Sequence, residues 1–214
     1  MYEFISGPLV WISFGILIAG AAWRLSRVAG MTHRDKVVLP YLSPRYATRS
    51  LAHWLVPYNT VNMRRRPGIT AVSWIFHICL LATPLFLQAH VELFERTFGF
   101  AWFHLPGGWA DAMTAAVLGG LVFFVLRRLA DPATRYVTDW KDFALIGLIA
   151  LPFATGLLAR YQIFPYRITL TVHIVTGCVA LAAIPFTRLV HMVFFPLSRA
   201  YMASEFGFRH ARDW

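Results

Sequence analysis

The sequence predicts an all-α integral membrane protein in which five transmembrane helices form a bundle. Hydrophobic residues make up 58% of the 214 and charged residues only 14%, against about 45–50% and about 25% in soluble domains. The apolar excess is gathered into five uncharged blocks, each near the about 17–25 residues that a helix needs to cross a bilayer. The basic residues, in turn, collect on one side of those blocks if each block crosses once. This composition excludes a disordered chain and does not fit a single water-soluble globule.

The first span is read over 8–23. Met1-Tyr2-Glu3-Phe4 ahead of it lacks the basic stretch of a cleavable signal peptide, so this span is expected to be retained. Gly15 and Gly20 suit close helix contact in lipid. The long loop 24–68 carries Tyr41, Tyr46, Trp54 and Tyr58, and its stretch 50–63 mixes apolar and polar residues ahead of Arg64-Arg65-Arg66. Two readings of it stand: an amphipathic piece lying on headgroups, or a docking surface for a cytoplasmic subunit. The second span, 69–90, contains Pro84, which removes a ladder hydrogen bond and kinks a helix. Trp102, Phe103 and Trp109 in the external loop 91–111 read as an interfacial aromatic belt. Spans three to five are read over 110–126, 143–159 (with Gly147, Pro152 and Gly156) and 168–190, and a basic tail ends the chain. Residues 1–214 thus form one membrane domain. No internal repeat is visible, which disfavours the inverted-repeat plan of transporters. Cys79 and Cys178 fall inside spans and are expected to pack as small hydrophobes rather than to pair.

Twenty Lys and Arg against ten Asp and Glu give a net charge of +10. In a soluble protein that balance would suggest nucleic acid as a partner. Here it reads as topology, and no nucleic acid is expected. All basic residues except Arg96, Arg160 and Arg167 lie in 24–66, 127–141 and 188–212. The tendency of cytoplasmic loops to collect Lys and Arg then places the N-terminus outside and the C-terminus in the cytoplasm.

The chemistry is expected at histidine. His33, His53, His104 and His210 sit in loops or the tail, where a surface histidine needs no function. His77, His90, His173 and His191 lie in or at the ends of spans two and five. An ionisable group in the membrane is costly and reads as functional. One such histidine is as often a packing residue, but here four share two helices almost without intramembrane Asp, Glu or Lys. The absence of carboxylates argues against proton relays and against a hydrolytic zinc site. Neutral imidazoles in an apolar helical bundle suit haem, which takes two axial nitrogens. His173 and His191 are 18 residues apart, about five turns and about 27 Å along a regular helix, so they are expected on one face near opposite membrane surfaces. The level-matched pairs are His77 with His191 and His90 with His173. His77 and His90, 13 residues apart, are separated by about 220° of rotation on a regular helix, so His90 needs a kink or local unwinding at Pro84 to re-aim it. The alternative is one haem on His77 and His191, with His90 a surface residue.

Val172-His173-Ile174-Val175-Thr176-Gly177, followed by Pro185-Phe186-Thr187-Arg188-Leu189-Val190-His191, resembles the last helix of the respiratory nitrate reductase gamma subunit family. Phe76-His77 resembles that family's second helix. In length and number of spans the chain is most similar to the cytochrome b branch found in the high-molecular-weight cytochrome complexes of sulfate-reducing bacteria. The resemblance implies two bis-histidine b haems, electron exchange with a quinone such as menaquinone, and residence in the bacterial cytoplasmic membrane. The partners it implies are a cytoplasmic iron–sulfur subunit, a periplasmic multihaem cytochrome c and other membrane subunits. By it, His77 and His191 hold the cytoplasm-side haem and His173 the outer one. The chain departs from the family at the second helix, where the second ligand usually lies ten residues after the first; that position is Leu87. Either His90 substitutes from the next turn, or the outer haem is lost or ligated differently. Gln88, Glu92 and Tyr161 stand at the outer level as candidate quinone contacts, each equally an ordinary interfacial residue. The implied role is an electron-transfer subunit rather than a catalyst on its own; the other reading is a structural anchor with one haem or none.

Overall fold

A computed structural model describes residues 2–34 and 42–211, without the side chains of 32–34. Lys36, Tyr41 and Arg212, and the side chains of His33 and Arg34, lie outside the described residues. Among those described, every regular element is helical: α1 (Tyr2–Ser6), α2 (Pro8–Arg34), α3 (Pro44–Trp54), α4 (Val61–Arg65), α5 (Pro67–Phe86), α6 (Gln88–Phe98), α7 (Gly107–Ala130), α8 (Pro132–Tyr136), α9 (Trp140–Arg160), α10 (Tyr166–Ala183) and α11 (His191–Phe208). Five stretches are long and apolar enough to cross a membrane: Tyr2–Met31, Pro67–Phe86, Gly107–Ala130, Trp140–Arg160 and Tyr166–Phe186. The protein is an all-helical, multi-pass membrane protein. Its contacts divide it into two bodies, Glu3–Thr70 with Cys178–Trp214, and Ala71–Gly177.

In the first body α2 runs well past the apolar block to Arg34. Arg24, Leu25, Arg27, Ala29, Met31 and Arg34 are good helix formers, and Gly30 is the least favourable residue of the stretch. Arg27 stacks over the Trp23 ring at 5.5 Å. Gly20 leaves room for Pro185, since a Cβ there would stand 2.6 Å from the proline Cγ, and Arg24 Nε donates to the Pro185 carbonyl at 3.0 Å. The stretch expected as a loop holds two helices. α3 begins with proline in its first turn, where the missing N–H costs nothing, and packs on α11. The Ser43 N–H donates to Ser204 Oγ at 3.0 Å, the Tyr46 and Phe208 rings meet edge-on at 5.8 Å, and the Arg199 guanidinium lies 4.5 Å over Trp54. α4 is capped by Thr60, whose hydroxyl accepts from the Met63 N–H at 3.3 Å.

The fifth span does not run unbroken to residue 190, and the expected tail is a helix. After α10 come two short 3₁₀ turns, Ile184–Phe186 and Arg188–Val190, on either side of an extended Thr187 (φ −122°, ψ −176°). Pro185 has no N–H with which to continue the ladder, and Thr187 Oγ1 caps the next turn by accepting from the Leu189 N–H at 3.3 Å. His191 therefore opens α11 instead of closing α10.

The core of the second body is Phe76 and Cys79 from α5 against Val117 and Leu121 from α7, with Met113, Phe124, Ile146 and Phe153 packed around them. Cys79 here, and Cys178 in the first body, are each buried and free, as expected. Phe76 meets Phe124 edge-on at 5.1 Å and lies close over Gly120, where an added Cβ would stand 3.0 Å from its ring. Gly120→Leu is expected to destabilise the protein by about 1–3 kcal/mol through overpacking, read as a lower unfolding temperature in detergent. Gly119→Leu, where nothing lies within 4 Å of an added Cβ, serves as its control. At one end of this body, Arg160 Nε pairs with Asp111 Oδ1 at 2.6 Å and ties α9 to α7.

Candidate functional site

The second span ends earlier than the sequence suggests. α5 stops at Phe86, Leu87 is extended (φ −69°, ψ 128°), and α6 starts at Gln88. The span read over 69–90 with a kink at Pro84 is thus a helix and a break, with the extended residue three positions beyond Pro84. A helix end leaves its last four carbonyls without intrahelical donors, and in an apolar layer each needs a replacement. Here all four have one. The Thr83 carbonyl accepts from the Leu87 N–H at 2.9 Å. The Pro84 carbonyl accepts from His90 Nδ1 at 2.8 Å, the Leu85 carbonyl from Trp102 Nε1 at 2.8 Å, and the Phe86 carbonyl from the Leu105 N–H at 2.8 Å.

His173 on α10 is held in the same manner. Its Nδ1 donates to the carbonyl of Pro152 in α9 at 2.8 Å, and Gly156, one turn on, leaves room for the ring. The consequence is a pair. The His90 and His173 rings are 6.0 Å apart between centroids and nearly parallel, with 16° between their planes. That is too far for rings in face contact, where carbons approach to about 3.5–4.0 Å. Two imidazoles on one metal ion, each with a metal–nitrogen bond of about 2.0–2.1 Å, place their ring centres about 6 Å apart. Because a carbonyl can only accept, each Nδ1 carries a proton, and in the neutral ring Nε2 then carries the lone pair. A hydrogen bond on the other ring nitrogen that fixes tautomer and ring direction in this way is the usual support of a metal-binding histidine.

His77 and His191 carry the same support. His77 Nδ1 donates to the Ser73 carbonyl at 2.7 Å, with the ring edge-on to Phe76 at 5.1 Å, and His191 Nδ1 donates to the Arg188 carbonyl at 2.9 Å. Both side chains are exposed. His77 belongs to the body Ala71–Gly177 and His191 to the other. The expectation that His173 and His191 share one face of a regular helix does not hold, because the turns at 184–190 interrupt it.

The remaining candidates have local partners. Gln88 Nε2 donates to Glu92 at 2.9 Å, Glu92 pairs with Arg96 at 3.7 Å, and the Tyr161 hydroxyl donates to Asp111 at 3.0 Å. Of the loop histidines, His53 is paired with the Asn59 amide at 2.8 Å. Among the described residues no group of three or more His, Cys, Asp or Glu gathers as a metal site, and a bis-imidazole site needs only two. Trp102, Pro152 and Gly156 support the site without having been recognised from the sequence. One of them had a visible signal, since Pro152, like Pro84, interrupts a helical ladder inside a span that carries or faces a histidine.

No protein-family model matches the chain. A protein of Nitratidesulfovibrio vulgaris (strain Hildenborough), whose name assigns it no activity, is 37% identical over 220 aligned residues, covering 98% of this chain and 95% of its own.

Proposed function

The chain belongs to one family with the Nitratidesulfovibrio vulgaris protein, and we propose that it is a membrane cytochrome b that carries electrons between a quinone and partner redox subunits. The observation that carries this reading is the His90–His173 pair, 6.0 Å between ring centres with each Nδ1 bound to a proline carbonyl. These two residues would hold the outer haem, and His77 and His191 the cytoplasm-side one. A haem held by two histidines supplies a one-electron ferric–ferrous couple with no open coordination position. The chain's own part is to present the Nε2 lone pairs, to keep the rings from turning, and to surround them with apolar side chains. The cytoplasmic iron–sulfur subunit, the external multihaem cytochrome and menaquinone belong to this proposal as partners, in a bacterial cytoplasmic membrane.

The test is a reduced-minus-oxidised spectrum of the purified full chain, with haem quantified as its pyridine complex. Two haem b per chain are expected. A chain without a b-type band is an anchor, and the reading fails.

A further inference from the structure

The following rests on the reading of His90 and His173 as ligands of one haem. We propose that Trp102 is a positioning residue for that haem, its indole N–H holding open the break at Leu87 and so keeping His90 opposite His173. The second span has two ways to satisfy its last carbonyls. In a continuous helix, Gln88, Ala89 and His90 would donate to Pro84, Leu85 and Phe86, and the chain would keep its rotation of about 100° per residue. His90 would then stand about 220° around the helix from His77. In the observed arrangement those three acceptors are claimed instead by the His90 ring, the Trp102 indole and the Leu105 N–H, each at 2.8 Å. Two of these donors come from the external segment after α6, so that segment decides between the two states.

Trp102 is well placed for the task. Its ring meets Phe94 edge-on at 5.2 Å, and Phe94 stands one turn after His90 on α6. Phe100 lies 5.9 Å away on the external segment. The indole therefore links the end of α5 to the helix that carries the ligand. Reading Trp102 as one more residue of an aromatic belt accounts for its ring and leaves its N–H unexplained.

Trp102→Phe keeps an aromatic ring and removes only the N–H, so it tests the bond itself. Trp109→Phe, at a Trp that is 68% exposed, is the matched control. Haem content, the low-spin EPR signals and the midpoint potentials are measured on full-length chain in membranes, with the outer haem identified as the signal that His90→Ala abolishes. Expected for Trp102→Phe is an outer haem about tenfold more weakly held, the low end of what losing a supporting hydrogen bond near a metal costs, or a shifted outer EPR signal and potential. The other haem should stay unchanged, and Trp109→Phe should keep both. Equal loss of both haems in Trp102→Phe is a general folding defect and overturns the positioning role. So do two fully retained haems with unchanged signals and potentials. A wild-type chain without haem overturns the underlying reading instead.

Discussion

His173→Ala is expected to halve the haem content of the purified protein, leaving one haem b per chain with an unchanged EPR signal and midpoint potential. The substitution removes an Nε2 whose direction is fixed by the bond from Nδ1 to the Pro152 carbonyl at 2.8 Å, so no rotation of a neighbour replaces it. His90→Ala is expected to abolish the same signal, and the double variant to lose nothing more. That lack of additivity is the signature of two residues acting on one iron, since independent sites add. Added imidazole should restore the signal in either single variant, because the lost group is itself an imidazole. If instead the two histidines only pack against each other, both variants lower the unfolding temperature and leave the spectrum as it was. If only His173→Ala loses the signal, the second ligand is not His90. His77→Ala and His191→Ala should remove the other haem and spare this one.

The spans were legible because a bilayer demands long apolar runs, and no tertiary partner is needed to see them. Their ends were less so. α2 continues to Arg34 because charged helix formers carry a helix out of the membrane as readily as apolar residues carry it across. The break at Leu87 has no local signal, since leucine is a good helix former. What stabilises the break are the Trp102 indole and the Leu105 N–H, 15 and 18 residues further along the chain. The four histidines stood out as a set because ionisable groups are rare in apolar runs, and matching levels along antiparallel spans already put His90 beside His173, where the rings are found. Rotation around a regular helix pointed against that pair, and the broken helix removes the conflict. The opposite happened with His173 and His191. Their spacing of 18 looked decisive on a continuous helix, yet Pro185 between them carries the same warning as Pro84, and there the helix does end.

Gly156 is the position where a single added side chain should cost the outer haem without touching a ligand. A Cβ at Gly156 would stand 3.0 Å from His173 Cε1 and 3.1 Å from its Nδ1, inside the about 3.5–4.0 Å of an ordinary contact. The ring cannot simply turn away, because its Nδ1 is committed to the Pro152 carbonyl one turn earlier on the same helix. A displacement of the ring strains that bond and shifts the ring from its place beside His90. Gly156→Ala demands a shift of a few tenths of an ångström; it should retain the haem but move its EPR signal and potential. Gly156→Leu should lower outer-haem binding by about tenfold or more, as losing the hydrogen bond that orients a metal-binding histidine does. Gly147 on the same helix meets nothing within 4 Å, so Gly147→Leu should leave both haems in place. These two glycines look alike in the sequence, each a small residue in an apolar span, and general helix packing in lipid would treat them alike. Equal responses at the two positions would therefore return Gly156 to that packing role. A loss confined to Gly156, and to the one haem that His90→Ala also removes, would tie α9 to the site through the His173 ring.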